Sequence, residues 1–387
     1  MFKQYYQRFL KENGAKQHFS PHSHYFWPDV TRDAMLQYWD DSARWVDDKW
    51  GHFFETCVPQ LQQHISSLLN TTCPEQIVFA SNTHELLFRI LSCKDWRRSL
   101  RMLSTDSEFH SFFRQANRLA ELDNVTVDTV AAQPFASFTD RFIAAIDDGQ
   151  YDVVFLSHVF FNSGFVVKDI NRIVEAVADS DTIVIIDGYH HFMAKPLDIR
   201  ELESRIFYLA GGYKYAQGGE GVCFAHVPRG CKLRPLYTGW FAEFGALDKP
   251  RAGEVQYSED GMRFAGATMD FSALYRLRAV MDLFADEGIT IAAVDAHVMA
   301  VQDAFLDQLD ELSHPLINRQ QLLVTDPARR GHFLTFELPD ADTTSRIASQ
   351  LKTHNILTDY RGNRLRFGFA MYHDPDSIDI SALAQCR

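Results

Sequence analysis

Apolar residues along this chain gather into short runs, and between the runs they recur at every third or fourth position. The runs at 77–80, 100–103, 125–130, 153–157, 183–187 and 206–209 are rich in Ile, Val and Leu and of strand length. The stretches 83–92, 107–121, 137–147 and 169–178 carry helical spacing instead. This alternation predicts an α/β fold with a mostly parallel sheet covered by helices on both faces. Such sheets bind ligands beyond the carboxyl ends of their strands, so polar residues that follow each run are where chemistry is sought.

The flanks read differently. In 31–50, Met35, Tyr38, Trp39, Ala43, Val46 and Trp50 recur at mostly helical steps beside an acidic face, which predicts an arm or helix packed on the main body. After Gly261 come two long helical patterns (270–287, 290–311), a strand at 332–338, a helix at 342–353 and a strand at 365–369. The expected division is an N-terminal arm and helix (1–60), a large domain (61–260) and a small α+β domain (261–387).

Composition narrows the function classes. With 38 Lys plus Arg against 51 Asp plus Glu the net charge is −13, and no basic stripe interrupts it, which argues against nucleic acid. No aliphatic run approaches the roughly 20 residues of a membrane helix. The opening residues are charged and lack a secretory core, and the six cysteines form no CxxC, so a reduced, cytoplasmic setting is expected.

Three strand ends carry candidate chemistry. Strand 77–80 runs into Ser81-Asn82-Thr83-His84-Glu85, where Asn82 and Glu85 can form a capping box; the helix start is also an anion site, with plain capping the competing reading. Strand 183–186 ends in Asp187, followed by Gly188-Tyr189-His190-His191, and a carboxylate placed there needs a positive partner. Strand 206–209 leads to Gly211-Gly212-Tyr213-Lys214-Tyr215 and a glycine-rich loop, a setting for an amine kept neutral by desolvation. A pyridinium partner, a phosphate cradle and a Schiff-base lysine are the three anchors of pyridoxal phosphate.

These residues resemble the class V aminotransferase group of fold type I pyridoxal phosphate enzymes, and within it the kynureninases. The likeness runs in order from Trp50 to Tyr372, on the Tyr213-Lys214-Tyr215 loop and the Asp187-x-x-His190 element. It implies a large domain with a mostly parallel sheet, a small C-terminal domain, and a homodimer with its active site at the subunit interface. By resemblance, Lys214 binds pyridoxal 5'-phosphate and moves the substrate's α proton, and Asp187 pairs with the ring nitrogen. Phe109 stacks on the ring and His190 lies beside it. Asn82, Thr83 and Tyr213 reach the phosphate, and Trp240 and Thr268 are similar to residues near it. Ser163 lies in a His-Val segment that closes over the cofactor. Arg366 resembles a clamp for the substrate carboxylate, with Arg361 and Arg364 close by.

Some positions depart from the kynureninase pattern. Glu220 stands where those enzymes have a proline, and Gly266-Ala267-Thr268-Met269-Asp270 replaces a polar-Pro-Pro stretch. Pro21-His22-Ser23-His24 replaces their short entry segment and offers His22 and His24 as substrate contacts. The expected reaction is kynureninase-like hydrolysis of an amino acid, with transamination as the alternative. Cysteine desulfuration is less favoured, because no cysteine lies between Cys231 and Cys386 to act as a mobile nucleophile. A metal hydrolase built on His22, His24, Asp187, His190 and His191 is disfavoured by the absence of HExxH.

Overall fold

The computed structural model describes residues 2–246 and 253–386. Seven strands make the central sheet: β1 (Ile77–Ala80), β2 (Leu100–Thr105), β3 (Val125–Val130), β4 (Val153–Ser157), β5 (Ile183–Asp187), β6 (Ile206–Gly211) and β7 (Cys223–His226). Their spatial order is β1-β7-β6-β5-β4-β2-β3. Pairing is parallel from β3 through β6, whereas β7 runs antiparallel to both β1 and β6. Strands β1 and β4 through β6 are apolar at nearly every position, as burial on both faces demands.

Besides short helices at Gln7–Asn13 and Lys49–His52, the helices are α1 (Val30–Trp45), α2 (Val58–Leu69), α3 (Thr83–Leu91), α4 (His110–Ala120), α5 (Phe138–Asp148), α6 (Ile170–Ala176), α7 (Ser272–Asp286), α8 (Ile291–Leu312) and α9 (Ala341–Thr353). Helix α1 packs on α7, where the Tyr275 hydroxyl donates to Asp41 at 2.9 Å. It stops at Trp45 rather than at Trp50, because Val46 turns to φ 46°, a conformation that a β-branched residue rarely adopts. Met35, Leu36 and Trp39 of this helix remain exposed, so the stripe read from sequence is only partly a packing face.

A second sheet, of strands β8 (Phe333–Glu337), β9 (Asp359–Arg361) and β10 (Arg364–Gly368), has the antiparallel order β9-β10-β8. Its core gathers Phe305, Phe336, Ile347, Phe367 and Phe369, and Phe19 from the N-terminal segment joins it. The two residues before Phe19, Gln17 and His18, pair in parallel with Ile356 and Leu357. A few residues later Tyr25 and Phe26 belong to the larger core around the central sheet.

Phe305 is fully buried, with its ring 4.9–5.4 Å from those of Phe19, Phe367 and Phe369. Phe305→Ala is expected to cost about 3–5 kcal/mol through the cavity it leaves, read as a lower urea midpoint for the second core.

Candidate active site

A cavity of about 270 Å³ opens where β1, β2, β4, β5 and β6 end. Its wall brings together seven residues singled out from sequence: Asn82, Thr83, Phe109, Asp187, His190, Tyr213 and Lys214. A larger cavity, about 450 Å³, is lined by His158, His191 and Lys195 and includes neither Lys214 nor Asp187. His191 faces His158 there, with the rings stacked at 3.7 Å. Among the described residues, no three His, Cys, Asp or Glu side chains are grouped to hold a metal ion.

Lys214 follows β6 in a loop that its glycines shape. Gly219 (φ 73°) lies against the Trp27 ring and Gly221 adopts φ 93°, so neither position tolerates a side chain. The buried Arg276 guanidinium donates to the carbonyls of Gly218 and Glu220, which fixes the loop from behind. The Lys214 side chain is buried, with Nζ 5.1 Å from the ring centroids of both Phe109 and Tyr189. Burial, and next the positive charge of Arg366, push its ammonium down to about 7, whereas Asp187 opposes the shift. Near neutral pH the amine therefore has its lone pair available for a carbonyl carbon.

Lys214 Nζ lies 2.8 Å from His190 Nε2, which also lies 3.3 Å from the carbonyl oxygen of His22. Burial, with the Lys214 charge second, holds the imidazole well below its usual range. A neutral ring with its proton on Nε2 can serve either the carbonyl or the lysine lone pair. Asp187 ends β5, and its Oδ1 accepts the Tyr189 N–H at 2.9 Å, the only hydrogen bond to this carboxyl among the described residues. Burial raises its pKa, and the Tyr189 N–H and Lys214 draw it back. It keeps acceptor capacity for one more cationic N–H, as a pyridinium nitrogen requires.

At the opposite end, Asn82 caps α3 by accepting the Glu85 N–H at 2.9 Å, so the capping reading holds. The cap leaves further first-turn amides of a nine-residue helix beside Thr83 and Ser81, an arrangement suited to a phosphate. The Tyr213 hydroxyl lies 3.2 Å from His24 Nδ1, which brings His24 to the mouth. Phe109 is the N-cap of α4, with its ring at the cavity.

The remaining candidates lie elsewhere. Ser163 is buried in a tight turn, where its hydroxyl accepts the Phe165 N–H at 3.3 Å, outside the cavity wall. The Trp240 indole N–H donates to Thr268 Oγ1 at 3.2 Å, and neither residue lines this chain's cavity. His22 is buried, stacked on Phe333 at 4.8 Å, and its ring nitrogens have no hydrogen-bond partner among the described residues. Arg366 is buried beyond Phe161, donating to the Phe161 carbonyl and to Asp359.

Two acidic groups escaped the sequence reading. Glu108 is buried beneath the cavity and accepts from Thr105 Oγ1 at 2.7 Å, from the Ser157 N–H at 3.2 Å and from the Ser157 hydroxyl. Burial pushes its carboxyl up to about 8 despite these bonds. Ser157 is the register partner of Asp187, so Glu108 holds the strand end beside the ring-nitrogen anchor. The other is Asp359, directly opposite Arg366 across β9 and β10. An acid next to Phe109 and an Asp-x-Arg before the arginine strand were the available signals.

The family model for class V aminotransferases matches residues 27–368. The chain belongs to that family. Among solved structures, this class V chain is similar to the cystine C–S lyase C-DES in complex with its reaction product cysteine persulfide. The TM-score is 0.79 at 20% identity, with 97% of both chains covered. A lysine-to-alanine mutant of C-DES, with glycine covalently linked to its pyridoxal phosphate cofactor, superposes with a TM-score of 0.81 at 18% identity over 100% of both chains. The cysteine desulfurase CsdA from Escherichia coli gives 0.80 at 14% identity, covering 100% of this chain and 96% of that one. A curated cysteine desulfurase from Pectobacterium atrosepticum is 20% identical over 227 residues, 57% of this chain, which spans about half (54%) of that relative's length. At these identities the structural likeness establishes the fold.

The depressed Lys214 value has a consequence for stability. Between about 7 and the ordinary 10.5 the unfolded chain holds a proton that the folded chain lacks, so stability rises with pH across this window. In cofactor-free protein the contribution reaches about 1.4 kcal/mol per pH unit at most. Urea midpoints at pH 7.5 and 9.5 are expected to show this slope, and Lys214→Met is expected to lack it.

Proposed function

We propose that this class V enzyme uses pyridoxal 5'-phosphate bound at Lys214 to act on an amino acid with an aromatic side chain, with kynureninase-type hydrolysis of the Cβ–Cγ bond as the reaction. The observation that carries the proposal is the Lys214 amine, pushed down to about 7 by burial, in a cavity walled by Phe109, Phe161, Tyr189 and Tyr213. When bound, the cofactor supplies a carbonyl that condenses with amines and a ring that accepts an electron pair from the substrate's Cα. Lys214 Nζ takes the Cα proton and returns it, and His190, whose Nε2 lies 2.8 Å away, positions that amine. Asp187 keeps the positive ring nitrogen in place, while the α3 amides with Asn82 and Thr83 hold the phosphate. Arg366 binds the substrate carboxylate beyond Phe161, and His24 and Tyr213 border the entrance.

A second reading, cleavage of a C–S bond, is supported by the shared architecture with C-DES. Against sulfur transfer to a protein thiol stands the only cysteine lining the cavity among the described residues, Cys223. Burial pushes its thiol up to about 12, far from the thiolate that transfer needs. Transamination is the third reading, and no contact in the site favours it over the first. All six cysteines are free, which fits a reducing compartment such as the cytoplasm.

The partner we infer is a second copy of the chain. Trp240 and Thr268 are bonded to each other away from their own cavity, and exposed Phe88, Leu236 and Tyr237 lie on the same part of the surface. That position outside their own cavity supports a role for Trp240 and Thr268 in a neighbour's phosphate site. Sedimentation equilibrium is expected to give twice 44.4 kDa, and a monomer at all concentrations would remove the shared-site arrangement.

The reaction is tested by adding kynurenine, cystine, cysteine and common amino acids to the cofactor-loaded protein. The expected result is anthranilate fluorescence from kynurenine with the visible band restored unaided. Sulfide or persulfide release would favour the C–S reading, and a band restored only by a keto acid would favour transamination. Lys214→Ala is expected to lower turnover by about 10²–10⁴-fold or more and to eliminate the borohydride-reducible chromophore.

A further inference from the structure

Arg366 does not wait for a substrate with its hydrogen bonds free. The side chain is 3% exposed. Its Nη1 donates to the Phe161 carbonyl and its Nη2 to Oδ2 of Asp359, while the buried Nε–H has no partner among the described residues. Asp359 faces it across the strand pair, and its second oxygen, Oδ1, accepts from Arg361 Nη1 at 2.7 Å. His22 Nε2 stands 3.6 Å from Oδ2. Burial, with the Arg366 charge next, pushes this imidazole down to about 3, so it adds no charge. The cluster thus holds two guanidinium charges against one carboxylate, one positive charge in excess.

A guanidinium grips a carboxylate with two parallel N–H bonds, through either the Nε/Nη2 or the Nη1/Nη2 pair. Both pairs use Nη2, the atom that Asp359 occupies. A second carboxylate arriving there meets the negative charge of Asp359 at close range in a water-poor site. Arg361 offers the way out: it already holds Oδ1, its side chain is 44% exposed, and it sits on the edge strand next to Gly362 in a left-handed turn (φ 56°). Arg364 is engaged elsewhere, with Glu337 at 3.7 Å.

We propose that Asp359 is an internal carboxylate ligand of Arg366, which a substrate carboxylate displaces onto Arg361, and that this competition sets how tightly the site binds acids. The proposal rests on Arg366 being the carboxylate site of the reading above. It makes Asp359 a positioning residue whose removal improves binding, the opposite of what loss of a structural ion pair does. Apparent affinity is the intrinsic affinity multiplied by the fraction of molecules in which Arg366 is free of Asp359.

The test is calorimetric titration of the cofactor-loaded protein with 3-phenylpropionate, which has no amine to react, and with its neutral amide. Asp359→Asn is expected to tighten 3-phenylpropionate binding roughly tenfold and to leave the amide unchanged. Arg361→Gln, at an exposed position, is expected to weaken carboxylate binding in the parent protein and to have little effect once Asp359 is Asn. Unchanged or weaker carboxylate binding in Asp359→Asn overturns the proposal, as does equal tightening of the amide. If Asp359→Asn does not fold, Arg361→Gln alone decides, and unaltered carboxylate affinity in it overturns the proposal. Arg366→Gln separates the two levels: if the preference for carboxylate over amide survives in it, the assignment of Arg366 itself is wrong.

Discussion

Removal of water from one amine is the interaction on which the site depends. An ammonium group in a cavity of aromatic rings loses most of its hydration, and the neutral form becomes competitive near physiological pH. Burial among Phe109 and Tyr189 and the charge of Arg366 maintain that condition. The glycines let the loop pack closely on Trp27 and Leu277, and Arg276 pins the loop's carbonyls. Asp187 is near enough to restrain the shift yet lies at the end of its own strand, where it can serve another cation. Arg366 works in the opposite direction by adding positive charge.

The same reasoning explains the unusual number of acidic groups with displaced pKa values under the strand ends. Glu108 tends towards its protonated form, and Asp359 is held far below the ordinary carboxylate range, although both are largely removed from water. The difference lies in their partners. Hydroxyls and one amide stabilise the Glu108 carboxylate only modestly, whereas Asp359 faces two guanidinium groups. Perturbation of this kind gathers where chemistry is done.

The central strands and the ends that carry Asp187 and Lys214 were legible because a strand buried on both faces writes an unbroken apolar run, and a polar residue straight after it stands out. Strand β7 was not legible: four residues after a glycine loop carry no period. Strand β9 has three residues and no apolar pattern, so the opposition of Asp359 to Arg366 exists only once the hairpin closes. The protonation of Glu108 depends on Thr105 and Ser157, which the chain brings together from two strands. Ser163 and Trp240 were found by likeness of motif, and motif order carries no information on which way a side chain turns.

The N-terminal segment links what the sequence separates. Gln17 and His18 are stitched to Ile356 and Leu357, Phe19 is embedded in the second core, and within a few residues Tyr25 and Phe26 enter the first. Between those anchorages, His22 presses so closely on Gly368 that a methyl group there would have no room. The segment therefore ties the two cores together. Through His22, whose carbonyl oxygen lies 3.3 Å from His190 Nε2, the packing of both cores reaches the neighbour of the reactive amine.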